Sequence, residues 1–94
     1  MLIAISNYLK PLIEVDVYRD AHRHYLKALQ ASGKLIISGR QNPPVGGVII
    51  AKMRSLDEFK QILREDPFFK AKVAEYNIIE FDPTLFDEAI SALI

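Results

Sequence analysis

The spacing of apolar positions changes several times along the chain, and each change marks an element. "LIAIS" (Leu2 to Ser6) is a short unbroken apolar run followed by polar residues and Pro11, the signature of a buried strand rather than a helix. From about Val17 to Ser32 the apolar residues recur at helical intervals, with Val15, Tyr18, Tyr25, Leu26 and Leu29 on one side and Gly33 placed to end the helix. "KLIIS" (Lys34 to Ser38) and "GVIIAKM" (Gly47 to Met53) are rich in Ile, Val and Leu. They flank a loop with two prolines and so predict an antiparallel pair. Ser55 and Glu58 form a capping-box pattern ahead of Leu56, Phe59, Ile62 and Leu63, predicting a second helix to about Glu65. Asp66 and Pro67 then signal a cap and a new short turn. "EYNIIEF" (Glu75 to Phe81) reads as the last strand, and the stripe of Leu85, Phe86, Ala89, Ile90 and Leu93 predicts a terminal helix from Pro83 to Leu93, behind Asp82 as cap.

The order is strand, helix, strand, strand, helix, strand and one extra helix. That is the split βαβ (βαββαβ) arrangement of the ferredoxin-like fold: an α+β domain with a four-stranded antiparallel sheet and an additional C-terminal helix. No linker, repeat or low-complexity stretch divides the 94 residues, so a single domain spanning 1–94 is expected.

Composition narrows the function classes. Twelve Lys plus Arg balance twelve Asp plus Glu, leaving no basic excess for phosphate neutralisation, so nucleic acid is not an expected partner. No apolar run approaches the ~18 residues that span a bilayer, and the start lacks a basic leader, so neither membrane insertion nor a signal peptide is expected. The absence of cysteine removes disulfides, thiolate nucleophiles and Cys-type zinc sites and fits a cytoplasmic location. Half the residues are apolar, and strands two and three are near-continuous Ile and Val runs with too few helices to cover both faces of a sheet. A homodimer packed sheet to sheet is the expected assembly.

The candidate chemistry begins with the two histidines in "AHRHYL". Each helical residue turns about 100°, so His22 shares the apolar stripe of Tyr18, Leu26 and Leu29, while His24, two residues on, sits with Asp20, Lys27 and Ala31 on the wet side. Histidines at i and i+2 on a helix face apart and are not spaced to share a metal, and neither a metal nor another cofactor is expected. His22 has two readings at this point: a core histidine bonded to a backbone carbonyl, or a general acid or base facing a cleft. Asp66 likewise reads as a helix cap alone or as a cap that also serves chemistry.

Several stretches, in order and at consistent spacing, resemble the YCII (YciI-like) family. They are Arg19 and His22 in "RDAHRHYL", "SGKLIISG" with Ser38 and Gly39, "GGVIIAKM", and "EDPFFKA" followed by "VAEYNIIEF". The resemblance covers roughly Leu2 to Phe81. It implies a dimeric α/β barrel built from two ferredoxin-like subunits, and it carries a histidine and an aspartate as a catalytic dyad onto His22 and Asp66. It further implies a small-molecule lyase or isomerase acting on hydroxylated aromatic or other anionic metabolites, with Arg19, Ser38 and Gly39 as substrate-binding positions, to which Arg40 is added as a candidate on its charge alone. The chain departs from the family pattern at Arg40, where many relatives have proline, and in its last helix. Arg40 reads either as a solvated loop residue or as a fixed positive charge over the cleft. The alternative to an enzyme is a non-catalytic dimeric module that binds a metabolite or regulates a partner.

Overall fold

The computed structural model describes residues 1–94. Strand β1 (Leu2–Tyr8) leads through a short helix α1 (Leu12–Val15) and a 3-10 turn (Asp16–Tyr18) into α2 (Arg19–Ala31). β2 (Leu35–Arg40) and β3 (Gly47–Ala51) follow, then α3 (Leu56–Arg64), α4 (Pro67–Lys70), β4 (Ala74–Glu80) and a terminal 3-10 helix (Glu88–Leu93). The four strands form one antiparallel sheet in the order β2-β3-β1-β4, the ferredoxin-like topology.

Local chemistry sets the element ends. Gly33 sits at φ 78° after α2, and the amides of Gly33 and Lys34 donate to the carbonyls of Gln30 and Leu29, a complete Schellman closure. Ser55 caps α3 by accepting from the Glu58 amide at 3.2 Å. Only half of the expected capping box forms, because the Glu58 carboxylate faces Lys34 at 3.6 Å instead.

Strand residues Leu2, Ala4, Ile49 and Ala51 are buried together with Phe59 and Leu63 of α3, so the helices cover one face of the sheet. A second cluster joins Val15, Phe68, Val73 and Ala74 near the start of α4. Val15 is fully buried there, which explains why the helical pattern read as continuous from Val17 is broken: the chain turns to seat Val15 in this cluster, and α2 starts afresh at Arg19. Tyr18 falls on the broken turn and is exposed rather than on the buried stripe.

The opposite face of the sheet is apolar and uncovered. Ile3, Ile5, Val48 and Ile50 are only half-buried, and Ile37 and Ile79 are exposed. The C-terminal helix is shorter than its pattern predicts. Only Glu88–Leu93 coils, as a 3-10 helix capped by Asp87 rather than Asp82, and Leu85 is 95% exposed. Of the expected stripe only Leu93 is half-buried, while Leu85, Phe86, Ala89 and Ile90 stay exposed, too little burial to offset the ordering of a longer helix.

Two irregularities shape the helical side of the sheet. Pairing between β2 and β3 slips between Leu35 and Ile37, so that Leu35 lies opposite Ala51 and Ser38 opposite Ile49. This bulge puts Ser38 and Arg40, rather than Ile37 and Gly39, on the face that carries the helices. At Gly46 a Cβ would lie 1.7 Å from the Ser6 carbonyl oxygen, a closeness only glycine permits. The β2–β3 loop is thereby clamped to β1, where Gln41 Nε2 donates to the same carbonyl at 2.8 Å and the Gly47 amide donates to Ser6 Oγ at 2.8 Å.

Candidate functional site

Asp66 is the centre of the site. Pro67 cannot continue α3, so the chain breaks at Asp66, whose extended backbone (φ −63°, ψ 129°) makes it the N-cap of α4. Its Oδ1 accepts from the Phe68 amide at 3.1 Å and from His22 Nδ1 at 2.7 Å, while Oδ2 accepts from the Tyr76 hydroxyl. The side chain is 1% exposed, and three donors satisfy it as an acceptor-only carboxylate. Capping and pairing with His22 are thus done by one side chain at once.

His22 projects from the inner face of α2, and its ring lies flat on Phe68, with centroids 3.8 Å apart and planes 6° from parallel. Phe68 in turn meets Tyr8 edge-on at 5.9 Å. Because a carboxylate only accepts, Nδ1 carries the hydrogen, and in the neutral ring Nε2 holds the lone pair. Nε2 makes no hydrogen bond to the protein, and Arg19 Nη2 is the only side-chain nitrogen or oxygen that is both buried and unpartnered. The free nitrogen therefore stays open to the adjoining space. His24 is exposed on the far side of α2, as its spacing predicts.

That space is a cleft of about 450 Å³ on the helical face of the sheet, walled by α2 on one side and β2 on the other. His22, Phe68 and Tyr76 line it, as do Arg19, Ser38, Gly39 and Arg40. Arg19 Nε donates to Asp16 Oδ1 at 2.7 Å, and its guanidinium carbon lies 5.7 Å from the Phe68 ring centre. Burial opposes the Arg19 charge, but the bond to Asp16 and the neighbouring Tyr8 outweigh it and raise its pKa above the ordinary value. Ser38, Gly39 and Arg40 are exposed on the β2 wall and make no hydrogen bond to His22 or Asp66. No group of three or more His, Cys, Asp or Glu side chains is arranged to hold a metal ion, and no helix is long and apolar enough to cross a membrane.

Tyr76, Phe68, Arg23 and Lys27 belong to the site and were not singled out by the sequence for it. Strand alternation did place Tyr76 on the inner face with Ala74 and Ile78, which is the one available signal. Its contact with Asp66, ten residues earlier, depends on how α4 folds back onto β4. Tyr25 holds the layers together by donating to the Ile62 carbonyl at 2.8 Å.

Burial and the Asp66 carboxylate push the Tyr76 phenol far above its usual range. A phenol that stays protonated when folded but ionises near pH 10 when unfolded stabilises fully below about pH 10, and that contribution is lost as pH rises further. Tyr25 is raised in the same direction by burial and by Asp66 and Glu65. Tyr76→Phe should therefore unfold less steeply with alkali than wild type, by up to about 1.4 kcal/mol per pH unit above pH 10. Urea midpoints measured across the alkaline range check this; identical alkaline slopes would contradict it.

An antiparallel ferredoxin-like sheet with a histidine–aspartate contact at the edge of a cleft defines a small α+β domain. The YCII-related domain profile matches residues 1–82, and the chain belongs to this family. Among solved structures it is similar to 5-chloro-2-hydroxyhydroquinone dehydrochlorinase of Burkholderia phenoliruptrix AC1100, solved in complex with 2,5-dihydroxybenzoquinone. The two share 24% identity with a TM-score of 0.68 over 87% of this chain and 94% of that one, a likeness of fold. No curated protein matches the sequence significantly.

Proposed function

We propose that the protein is a lyase or isomerase for a small hydroxylated aromatic or other anionic metabolite, with His22 as general base and acid and Asp66 orienting it. The observation that carries this reading is the 2.7 Å contact between Asp66 Oδ1 and His22 Nδ1, which leaves Nε2 open to the cleft. Nε2 takes a proton from a ring hydroxyl or an acidic C–H, and the electron pair left behind forms a new double bond. In a lyase the leaving group departs with its own pair; in an isomerase the proton returns at another carbon. Such catalysis contributes about 10²–10⁴ in rate. Asp66 fixes the tautomer and compensates the imidazolium formed in the step. Arg19, Ser38, Gly39 and Arg40 bind and orient the substrate, and the chemistry needs no cofactor. The flat dihydroxybenzoquinone held by the similar dehydrochlorinase is the kind of molecule that a cleft of about 450 Å³ accepts.

A thermal-shift screen of hydroxylated and chlorinated aromatic compounds, followed by turnover assays on every hit, tests the reading. Hits should be consumed by wild type and bound but not consumed by His22→Ala. Hits that wild type binds and never converts would leave a dimeric metabolite-binding or regulatory module instead.

The uncovered apolar face of the sheet supports a homodimer, and the lack of cysteine supports a cytoplasmic protein. Sedimentation equilibrium at micromolar concentration should give twice the 10.7 kDa chain mass. Ile50→Lys, on that face, should give the monomer.

A further inference from the structure

We infer that the cleft selects a ring-sized organic dianion, holding one negative group on the α2 wall through Arg23 and Lys27 and the second on the β2 wall through Arg40. This rests on the cleft being the substrate site and is independent of what His22 does there. The chain carries no net charge and has twelve carboxylates, yet not one Asp or Glu is among the residues lining the cleft. Four of its cations are. Arg19 is already matched by Asp16, whereas Arg23, Lys27 and Arg40 form no ion pair.

The arrangement is set against local stability. Arg19, Arg23 and Lys27 stand four residues apart along α2, where like charges repel and weaken a helix. Arg40 reaches the same cleft because the slip in β2 pairing turns it to the helical face, opposite Gly47. Cations therefore stand on both walls of a cleft that apolar Leu26, Ile49 and Phe68 also line. A single small anion occupies one wall only. A flat ring bearing two carboxylates, or a carboxylate and a phenolate, offers a negative group to the cations of each wall and an apolar body to the residues that line the cleft with them.

The test uses four probes at fixed low ionic strength: benzene-1,3-dicarboxylate, benzoate, resorcinol and sulfate, titrated into the whole protein by calorimetry and by amide NMR. The dicarboxylate should bind about tenfold more tightly than benzoate, and benzoate more tightly than neutral resorcinol. Sulfate, too compact to span the walls, should bind more weakly than the dicarboxylate. Added salt should weaken the dicarboxylate most. Both Arg40→Gln and the double variant Arg23→Gln, Lys27→Gln should reduce dicarboxylate affinity to the benzoate level. His24→Asn, exposed on the far side of α2, should bind it as wild type does. Equal affinity for resorcinol or sulfate, a charge preference surviving in both variants, chemical shifts away from the cleft, or no binding by any probe would each overturn the proposal. Loss of turnover in His22→Ala without this charge preference would refute the dianion and spare the catalytic reading. The converse result would do the reverse.

Discussion

Replacing Asp66 with asparagine should leave the protein folded and lower turnover by about 10²–10⁴. Asparagine caps a helix about as well as aspartate, so the turn into α4 survives. The amide, however, offers one acceptor and one donor where the carboxylate offers two acceptors. The donor must face either His22 Nδ1 or the Tyr76 hydroxyl, the two groups that now give hydrogen bonds to Oδ1 and Oδ2. Facing His22, it moves the ring hydrogen to Nε2, removes the lone pair from the cleft and also loses the Phe68 amide bond that shares Oδ1, so the cap favours the other orientation. Facing Tyr76, it leaves the tautomer unchanged but strips the charge that compensates the imidazolium. The fold should lose only about 1–2 kcal/mol, the difference between charged and neutral hydrogen bonds. Asp66→Ala is different in kind: it leaves the His22, Tyr76 and Phe68 donors without an acceptor at a site that is 1% exposed, and should cost about 3–5 kcal/mol. Urea unfolding separates the two variants, nitrogen NMR of the imidazole reports the tautomer, and an asparagine variant with full turnover would reduce Asp66 to a helix cap.

Phe68→Ala should be equally severe for stability, by about 3–5 kcal/mol. The ring is 2% exposed, holds the second core cluster together with Val15, Val73 and Ala74, and meets Tyr8 edge-on. It is also the surface on which the His22 imidazole lies. Phe68→Leu keeps most of the volume and should cost less than about 1.5 kcal/mol, so it isolates the stacking from the packing. With the flat support gone, His22 is free to tilt about its remaining bond to Asp66, and kcat should fall more than KM rises. A leucine variant with unchanged kcat would make Phe68 a core residue only.

What could be read before folding was whatever is decided within a turn or two of chain. Hydrophobic spacing predicted the strands and main helices in their order, and with them the ferredoxin-like topology. Gly33 and Asp66 were legible as terminators because capping is a contact between near neighbours. The inward turn of His22 and the outward turn of His24 followed from helical geometry alone, and the dyad position of Asp66 came from family resemblance rather than from spacing.

Other features were decided only by tertiary structure. His22 and Asp66 are 44 residues apart in sequence, and Tyr76 enters the same hydrogen-bond set from a strand, so their meeting depends on how α2, α4 and β4 cross. The slip in β2 that turns Ser38 and Arg40 toward the cleft leaves no periodic trace, because a bulge is a mismatch between two strands and not a property of either. The C-terminal stripe had the right spacing for a helix and coiled only as Glu88–Leu93, since an amphipathic pattern is realised only where something lies beneath it. Sequence alone therefore determined the elements, their order and the inward histidine, which rest on local backbone and side-chain preferences. The fold decided which distant side chains share a hydrogen bond and a cleft, because those contacts are fixed by the packing of whole elements against one another.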